Sequence, residues 1–175
     1  NMQIAGRNRL YFDQGVSLEL PVLPGAVPFV ADWDNDGRKD LIIGQADGSV
    51  KLFANIGTEV APAFGSGEDL SAGGEVLSAG AKASPVVVDY NSDGAKDLLV
   101  GNAAGQVVAY LNQGTDASPL LSDPVDVLQV NGAAVPFLVD WDADGQQELM
   151  VTADGVVTVY AQVEGQFQAT TQFSE

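Results

Sequence analysis

A stretch of ten residues, DWDNDGRKDL (32–41), returns as DYNSDGAKDL (89–98) and as DWDADGQQEL (140–149). No other feature of the chain limits its fold so strongly. Each copy packs carboxylates around one glycine, immediately before an apolar run. Like charges at that density repel, so a folded loop of this kind needs a counter-ion. The copies start 57 and 51 residues apart, at Asp32, Asp89 and Asp140. A fixed period of this size marks a repeat architecture.

The similarity extends beyond the loops. The units read VPFVADWDNDGRKDLIIGQADGSVKLFANIGT, ASPVVVDYNSDGAKDLLVGNAAGQVVAYLNQGT and AVPFLVDWDADGQQELMVTADGVVTVYAQV. In each, an apolar run follows Pro and enters the acidic loop. A second apolar run, a Gly-containing turn (Asp47-Gly48, Ala104-Gly105, Asp154-Gly155) and an alternating stretch come next. Short runs rich in Val, Ile, Leu, Phe and Tyr between turn residues predict strands. FVAD, DLIIG and SVKLFAN are expected to be consecutive and antiparallel. A weaker fourth strand is expected near Phe64, over 125–130 and over 165–173. No helical periodicity is sustained. Four strands in about 50 residues is the period of a propeller blade.

The fold class predicted is therefore all-β: a β-propeller-like array of four-stranded antiparallel blades, three full and one partial at the N-terminus. The partial blade is residues 1–24, because MQIAGRNRLYFDQG (2–15) matches the stretch from the second strand to the third in outline. The full blades are expected at about 25–80, 81–131 and 132–175, within a single domain.

Within each loop, positions one, three and five are Asp32, Asp34, Asp36; Asp89, Asn91, Asp93; and Asp140, Asp142, Asp144. Position six is Gly37, Gly94 or Gly145, and position nine is Asp40, Asp97 or Glu148. Oxygens at alternate positions of a tight loop can converge on one point. Position seven (Arg38, Ala95, Gln146) can add a backbone carbonyl. A hard cation in a flexible oxygen shell is Ca2+, and about three such sites are expected; Mg2+, which demands a stricter octahedron, ranks second. An EF-hand needs Glu at position twelve and flanking helices, whereas position twelve is Ile43, Val100 or Val151. The plainer alternative is a set of Asx turns that tolerate acids. Asn91 replaces a carboxylate, so the second loop is expected to bind least tightly.

Composition narrows the functions. The chain of 175 residues has no Cys and no His, which removes disulfides, thiolate sites and the commonest general base. Its net charge of −17 disfavours nucleic acid and anionic membranes. Three Ca2+ ions would bring that charge to about −11. No apolar run is long enough to span a membrane. A carboxylate pair could cleave glycosides, but the clustered acids are those a cation needs. No enzyme activity is expected.

Trp33, Tyr90 and Trp141 occupy position two and are expected to pack between blades; a ring of aromatics for sugars or a protein partner is the alternative. Phe29 and Phe137 are expected in the core, and Lys39 and Lys96 as solvated charges. Asn55-Ile-Gly and Asn112-Gln-Gly read as turn signals.

The loops and strands together resemble the FG-GAP/VCBS repeats, which include those of integrin alpha-chain propellers. The shared pattern runs over Asp32 to Gly44 with Gly48 to Gly57, and over Asp89 to Gly101 with Gly105 to Gly114. The third copy departs from it, with Thr152 for the Gly and YAQVEG for the Asn-containing ending. The resemblance implies a calcium-binding β-propeller at the cell surface or in the extracellular space, used in adhesion or ligand binding. Because about 3.75 blades are present, other copies of the chain are expected partners, completing the partial blade in an oligomer or filament. A glycan- or protein-binding adhesion domain cut from a longer secreted protein is the alternative.

Overall fold

The computed structural model describes residues 20, 23–145, 147–163 and 166–174. Among them there is no helix. The first repeat forms β1 (Val27–Ala31), β2 (Asp40–Gly44), β3 (Val50–Phe53) and β4 (Glu68–Asp69), an antiparallel sheet in that order. A small hairpin follows, β5 (Ser71–Ala72) and β6 (Glu75–Val76). The second sheet holds β7 (Ser84–Val88), β8 (Asp97–Gly101), β9 (Gln106–Tyr110) and β10 (Val125–Gln129). The third holds β11 (Val135–Val139), β12 (Glu148–Ala153), β13 (Val156–Val163) and β14 (Gln166–Ser174).

The expected four-stranded units are thus present three times. The partial unit expected over 1–24 lies mostly outside the described residues. One strand differs: Phe64 makes only a bridge to Asn55, and the fourth strand of the first sheet is Glu68–Asp69. Asn55 holds the chain around Phe64 in a turn, which delays the return to the sheet. The Gly/Ser-rich connection after it is structured, and sends Leu77 and Ala79 into the core.

Register repeats with the sequence. Ala31 pairs with Asp40, Val88 with Asp97 and Val139 with Glu148. Each acidic loop therefore joins the first strand to the second, and its ninth position is the first residue of the second strand.

The second strands of the first two repeats, DLIIG and DLLVG, are buried at every position because both of their faces are covered. Leu98 and Val100 of β8 pack against Ile42 and Val50 of the first repeat. Leu99, between them, points the other way, toward Leu149 and Val151 of the third. Behind the first sheet, Leu41, Ile43 and Phe53 are covered by Leu20, Leu23 and Phe64. Burying one such side chain contributes about 2 kcal/mol. The sheets thus stack face to face in sequence order.

Close stacking needs glycine at the end of the second strand. A Cβ on Gly44 would overlap the Ala83 carbonyl and Pro85, and one on Gly101 the Ala134 carbonyl and Pro136. Thr152 stands at this place in the third repeat and is exposed.

Phe137 departs from expectation: it is 56% exposed. Phe29, one repeat earlier in the pattern, packs partly buried against the core between the first and second sheets. Phe137 pairs with Met150, on the opposite side of the third sheet from Leu149 and Val151, which pack against the second.

Candidate metal centres

All three loops share one backbone shape. Position one spans the loop with both oxygens. Asp32 accepts the N–H of Asp36 at 3.0 Å and of Gly37 at 3.0 Å. Asp89 accepts those of Asp93 at 3.1 Å and Gly94 at 2.9 Å, and Asp140 those of Asp144 at 3.1 Å and Gly145 at 3.1 Å. Position three accepts the same N–H as position one: Asp34 from Asp36 at 3.2 Å, Asn91 from Asp93 at 3.0 Å, Asp142 from Asp144 at 3.2 Å. Position five accepts the N–H of position seven, Asp36 from Arg38 at 2.9 Å and Asp93 from Ala95 at 2.8 Å.

Two positions in each loop have positive φ. Gly37, Gly94 and Gly145 stand at 87°, 90° and 91°. No atom lies within 4 Å of where their Cβ would be, so conformation alone requires glycine there. Position four is also left-handed: Asn35 at 62°, Ser92 at 60° and Ala143 at 61°. In the first loop these successive turns bring the side chains of positions one, three and five together.

Oxygens of Asp32, Asp34 and Asp36 lie within 4.8 Å of one another, as do those of Asp140, Asp142 and Glu148. Burial, then the Asp36, Asp40 and Asp32 carboxylates, raise the carboxyl of Asp34 above its ordinary range. This concentration of negative oxygen fits a divalent cation. In the first loop the Arg38 guanidinium also pairs with Asp36. The second loop gathers no comparable trio of acids among the described residues. There the Asn91 amide donates to Asp93 Oδ2 at 2.8 Å, so a neutral donor already occupies one of its acceptors. Gln146 lies outside the described residues.

The ninth position has a second task. Asp40 is 1% exposed; its Oδ2 accepts the Trp33 N–H at 2.9 Å and its Oδ1 the Asn55 N–H at 2.8 Å. Asp97 is fully buried and repeats the pattern with Tyr90 at 2.9 Å and Asn112 at 2.7 Å. Glu148 accepts the Trp141 N–H at 2.7 Å. Burial raises the carboxyl of Asp97 despite the N–H groups of Asn112, Tyr90 and Asn91. Each of these acids fixes the loop to the sheet, with lone pairs left for a cation.

Asn55 and Asn112 are more than turn residues. Asn55 Oδ1 accepts from Gly57 at 3.0 Å and Ala63 at 3.2 Å; Asn112 Oδ1 accepts from Gly114 at 3.0 Å and Leu120 at 3.0 Å. They end the third strand and shape the return to the fourth. The signal in the sequence is an Asn-x-Gly fifteen residues after the ninth-position Asp. Gln162 occupies this place in the third repeat, and there β13 runs on into a long hairpin with β14.

Lys96 is bound rather than solvated. Its ammonium meets Asp116 at 2.9 Å, and Asn35 of the first loop lies 3.5 Å away. Lys39 is exposed, as expected. Trp33 is buried, and the Tyr90 ring lies 6.0 Å from Phe167. A polar cleft of about 370 Å3 opens beside this pair, with Asp89, Asp142, Asp144 and Glu148 on its walls.

The FG-GAP-like repeat family matches residues 32–100 and 89–151. The chain belongs to this family. Its matched region begins at the first acidic loop and ends in the second strand of the third repeat, so all three loops of this FG-GAP-like protein lie inside it. No match is found among curated proteins or solved structures.

Proposed function

We propose that this FG-GAP-like chain is a non-catalytic, calcium-stabilised interaction module of β-propeller type, working outside the cell. The observation that carries the reading is the gathering of Asp32, Asp34 and Asp36 oxygens in a loop fastened by Asp40. Asp140, Asp142 and Glu148 repeat it. Asp32, Asp34, Asp36 and Asp40 would hold the first ion, Asp89, Asn91, Asp93 and Asp97 the second, and Asp140, Asp142, Asp144 and Glu148 the third. Ca2+ would neutralise carboxylates that otherwise repel. Exposed loops of this kind suit the calcium level of extracellular modules, about 10⁻⁴–10⁻³ M in dissociation constant. The chain has neither His nor Cys, and eleven of its 24 acids lie in the three loops.

The test is thermal unfolding with excess calcium and with excess chelator. Binding to the folded state alone raises stability by mass action. Chelation is expected to lower the melting temperature by several degrees, and calcium to restore it. An unchanged melt removes the calcium reading.

The cleft beside Tyr90 and Phe167 supports a second reading, a receptor for a glycan or protein ligand. An aromatic wall with polar groups opposite is a common sugar-binding arrangement. Calcium-dependent hits on a glycan array favour it; none on a broad array counts against the sugar.

A further inference from the structure

The three loops line up position by position, and the two junctions between them differ at two places. At position two, Trp33 is buried between the first and second sheets, whereas the smaller Tyr90 is half-buried between the second and third. At position eight the second loop has Lys96 and the third has Gln147. Lys96 reaches from the second loop toward the first. Its ammonium meets Asp116 at 2.9 Å and lies 3.5 Å from Asn35, position four of the first loop. The equivalent pair at the next junction is Gln147 and Ser92, and both line the cleft of about 370 Å3. The cleft therefore opens where the preceding junction holds a lysine side chain.

Its surroundings define the occupant. The rings of Tyr90 and Phe167, 6.0 Å apart, stand on its wall. Val88, Leu138 and Ala161 add apolar surface. An aromatic face attracts a cation, and apolar walls suit an alkyl stem. Among the described residues of the lining there is no Lys or Arg. Its carboxylates belong to the second and third loops, which have three and four acids. One Ca2+ in each would leave charges of −1 and −2, so the cleft favours positive charge with the loops filled or empty. The same field disfavours sulfated or carboxylated glycans.

We propose that the cleft between the second and third loops receives a lysine side chain of a partner protein, its ammonium taking the place that Lys96 fills one junction earlier. The inference rests on the receptor reading of the same cleft and narrows it to a cationic protein ligand. A lysine is favoured over an amino sugar because the group at the equivalent place is an ammonium on a flexible stem. The volume agrees, being at the lower end of ligand pockets, about 300–1,000 Å3.

The test is a titration of the isotopically labelled protein, in saturating calcium, with acetyl-Gly-Lys-Gly-amide. It is followed at the backbone amide resonances of Tyr90, Ser92, Gln147 and Phe167. Saturable shifts at these positions are expected, with binding about ten-fold tighter than that of the matching norleucine peptide. Equal affinity for the two peptides, or lysine shifts confined to the first loop, overturn the proposal. Parallel titrations with maltohexaose and chitohexaose separate it from the wider reading. Shifts with a sugar or with norleucine, and none with lysine, overturn the lysine and keep the receptor. No shift with any probe overturns the proposal and counts against the receptor as well. Gln147→Lys gives an independent measurement. Its own ammonium is expected to fill the cleft as Lys96 does, weakening the lysine peptide about ten-fold or more. Undiminished binding by a folded Gln147→Lys variant overturns the proposal.

Discussion

The carboxylate of Asp97 accepts the backbone N–H of Asn112 at 2.7 Å, joining the end of an acidic loop to the end of the third strand. Asp40 and Asn55 form the same link at 2.8 Å in the first repeat. Loop and sheet are thereby one mechanical unit, and the effect of a bound cation on the loop reaches the strands directly.

Asp97→Ala removes the acceptor for Tyr90 and Asn112 and leaves both N–H groups without it. Stranding buried donors costs about 1–3 kcal/mol each. The variant is expected to lose about 3 kcal/mol in urea denaturation. The loss persists in chelator, because these hydrogen bonds do not involve the metal. A loss seen only with calcium present would mean that Asp97 acts solely as a ligand.

The left-handed residues of the third loop give two effects of opposite sign. Ala143 holds φ 61° with a Cβ, a conformation costing about 1 kcal/mol for residues other than glycine. Ala143→Gly is expected to stabilise the protein by a few tenths to about 1 kcal/mol, reduced by the greater freedom of glycine in the unfolded chain. Gly145→Ala, at φ 91° in open space, is expected to destabilise it by about 1 kcal/mol or more. Equal shifts of the same sign in the two melts would mean that the loop does not hold this shape.

The Asp-to-Asn link, position four and the fate of Phe137 mark where sequence reading stops. Strands such as DLLVG and the DxDxDG loops follow from local periodicity and turn chemistry, so their positions and register can be read directly. Asn112, however, announces only a turn, and nothing local says that its N–H meets a carboxylate fifteen residues away. Ala143 and Ser92 carry no sign of a left-handed backbone; only Asn35, at the same place, is suited to it. Phe137 follows Pro in the same pattern as Phe29, and its exposure depends on which sheet comes next. The first repeat's fourth strand is Glu68–Asp69 rather than the stretch near Phe64, because Asn55 holds Gly57 and Ala63 in a bend whose length its Asn-x-Gly signal does not state.

Stacking of the sheets rests on glycines without side chains. Gly101→Ala drives a Cβ into the Ala134 carbonyl and Pro136, neither of which can move without shifting β11. Overpacking of this kind costs about 1–3 kcal/mol and sometimes more. A loss near 3 kcal/mol is expected for Gly101→Ala, and a similar one for Gly44→Ala. Thr152→Gly, on an exposed site, is expected to change stability by less than about 1 kcal/mol. A mild Gly101→Ala would show that the second and third sheets stand farther apart than described.

Calcium affinity should differ among the loops in a way that one substitution can reverse. The second loop has Asn91 where the first has Asp34 and the third Asp142. Its amide donates to Asp93 at 2.8 Å, so the loop is partly satisfied by its own hydrogen bonds and carries one negative charge fewer. Ligand charge is a main determinant of calcium affinity in oxygen cages. Calorimetric titration is expected to show two tighter sites and one weaker. Asn91→Asp should strengthen the weaker site about ten-fold, equivalent to about 1.4 kcal/mol, and lower the stability of the calcium-free protein by restoring carboxylate repulsion. If the substitution leaves the weak site unchanged, position three is not a ligand in the second loop, and the weakness lies elsewhere in its shell.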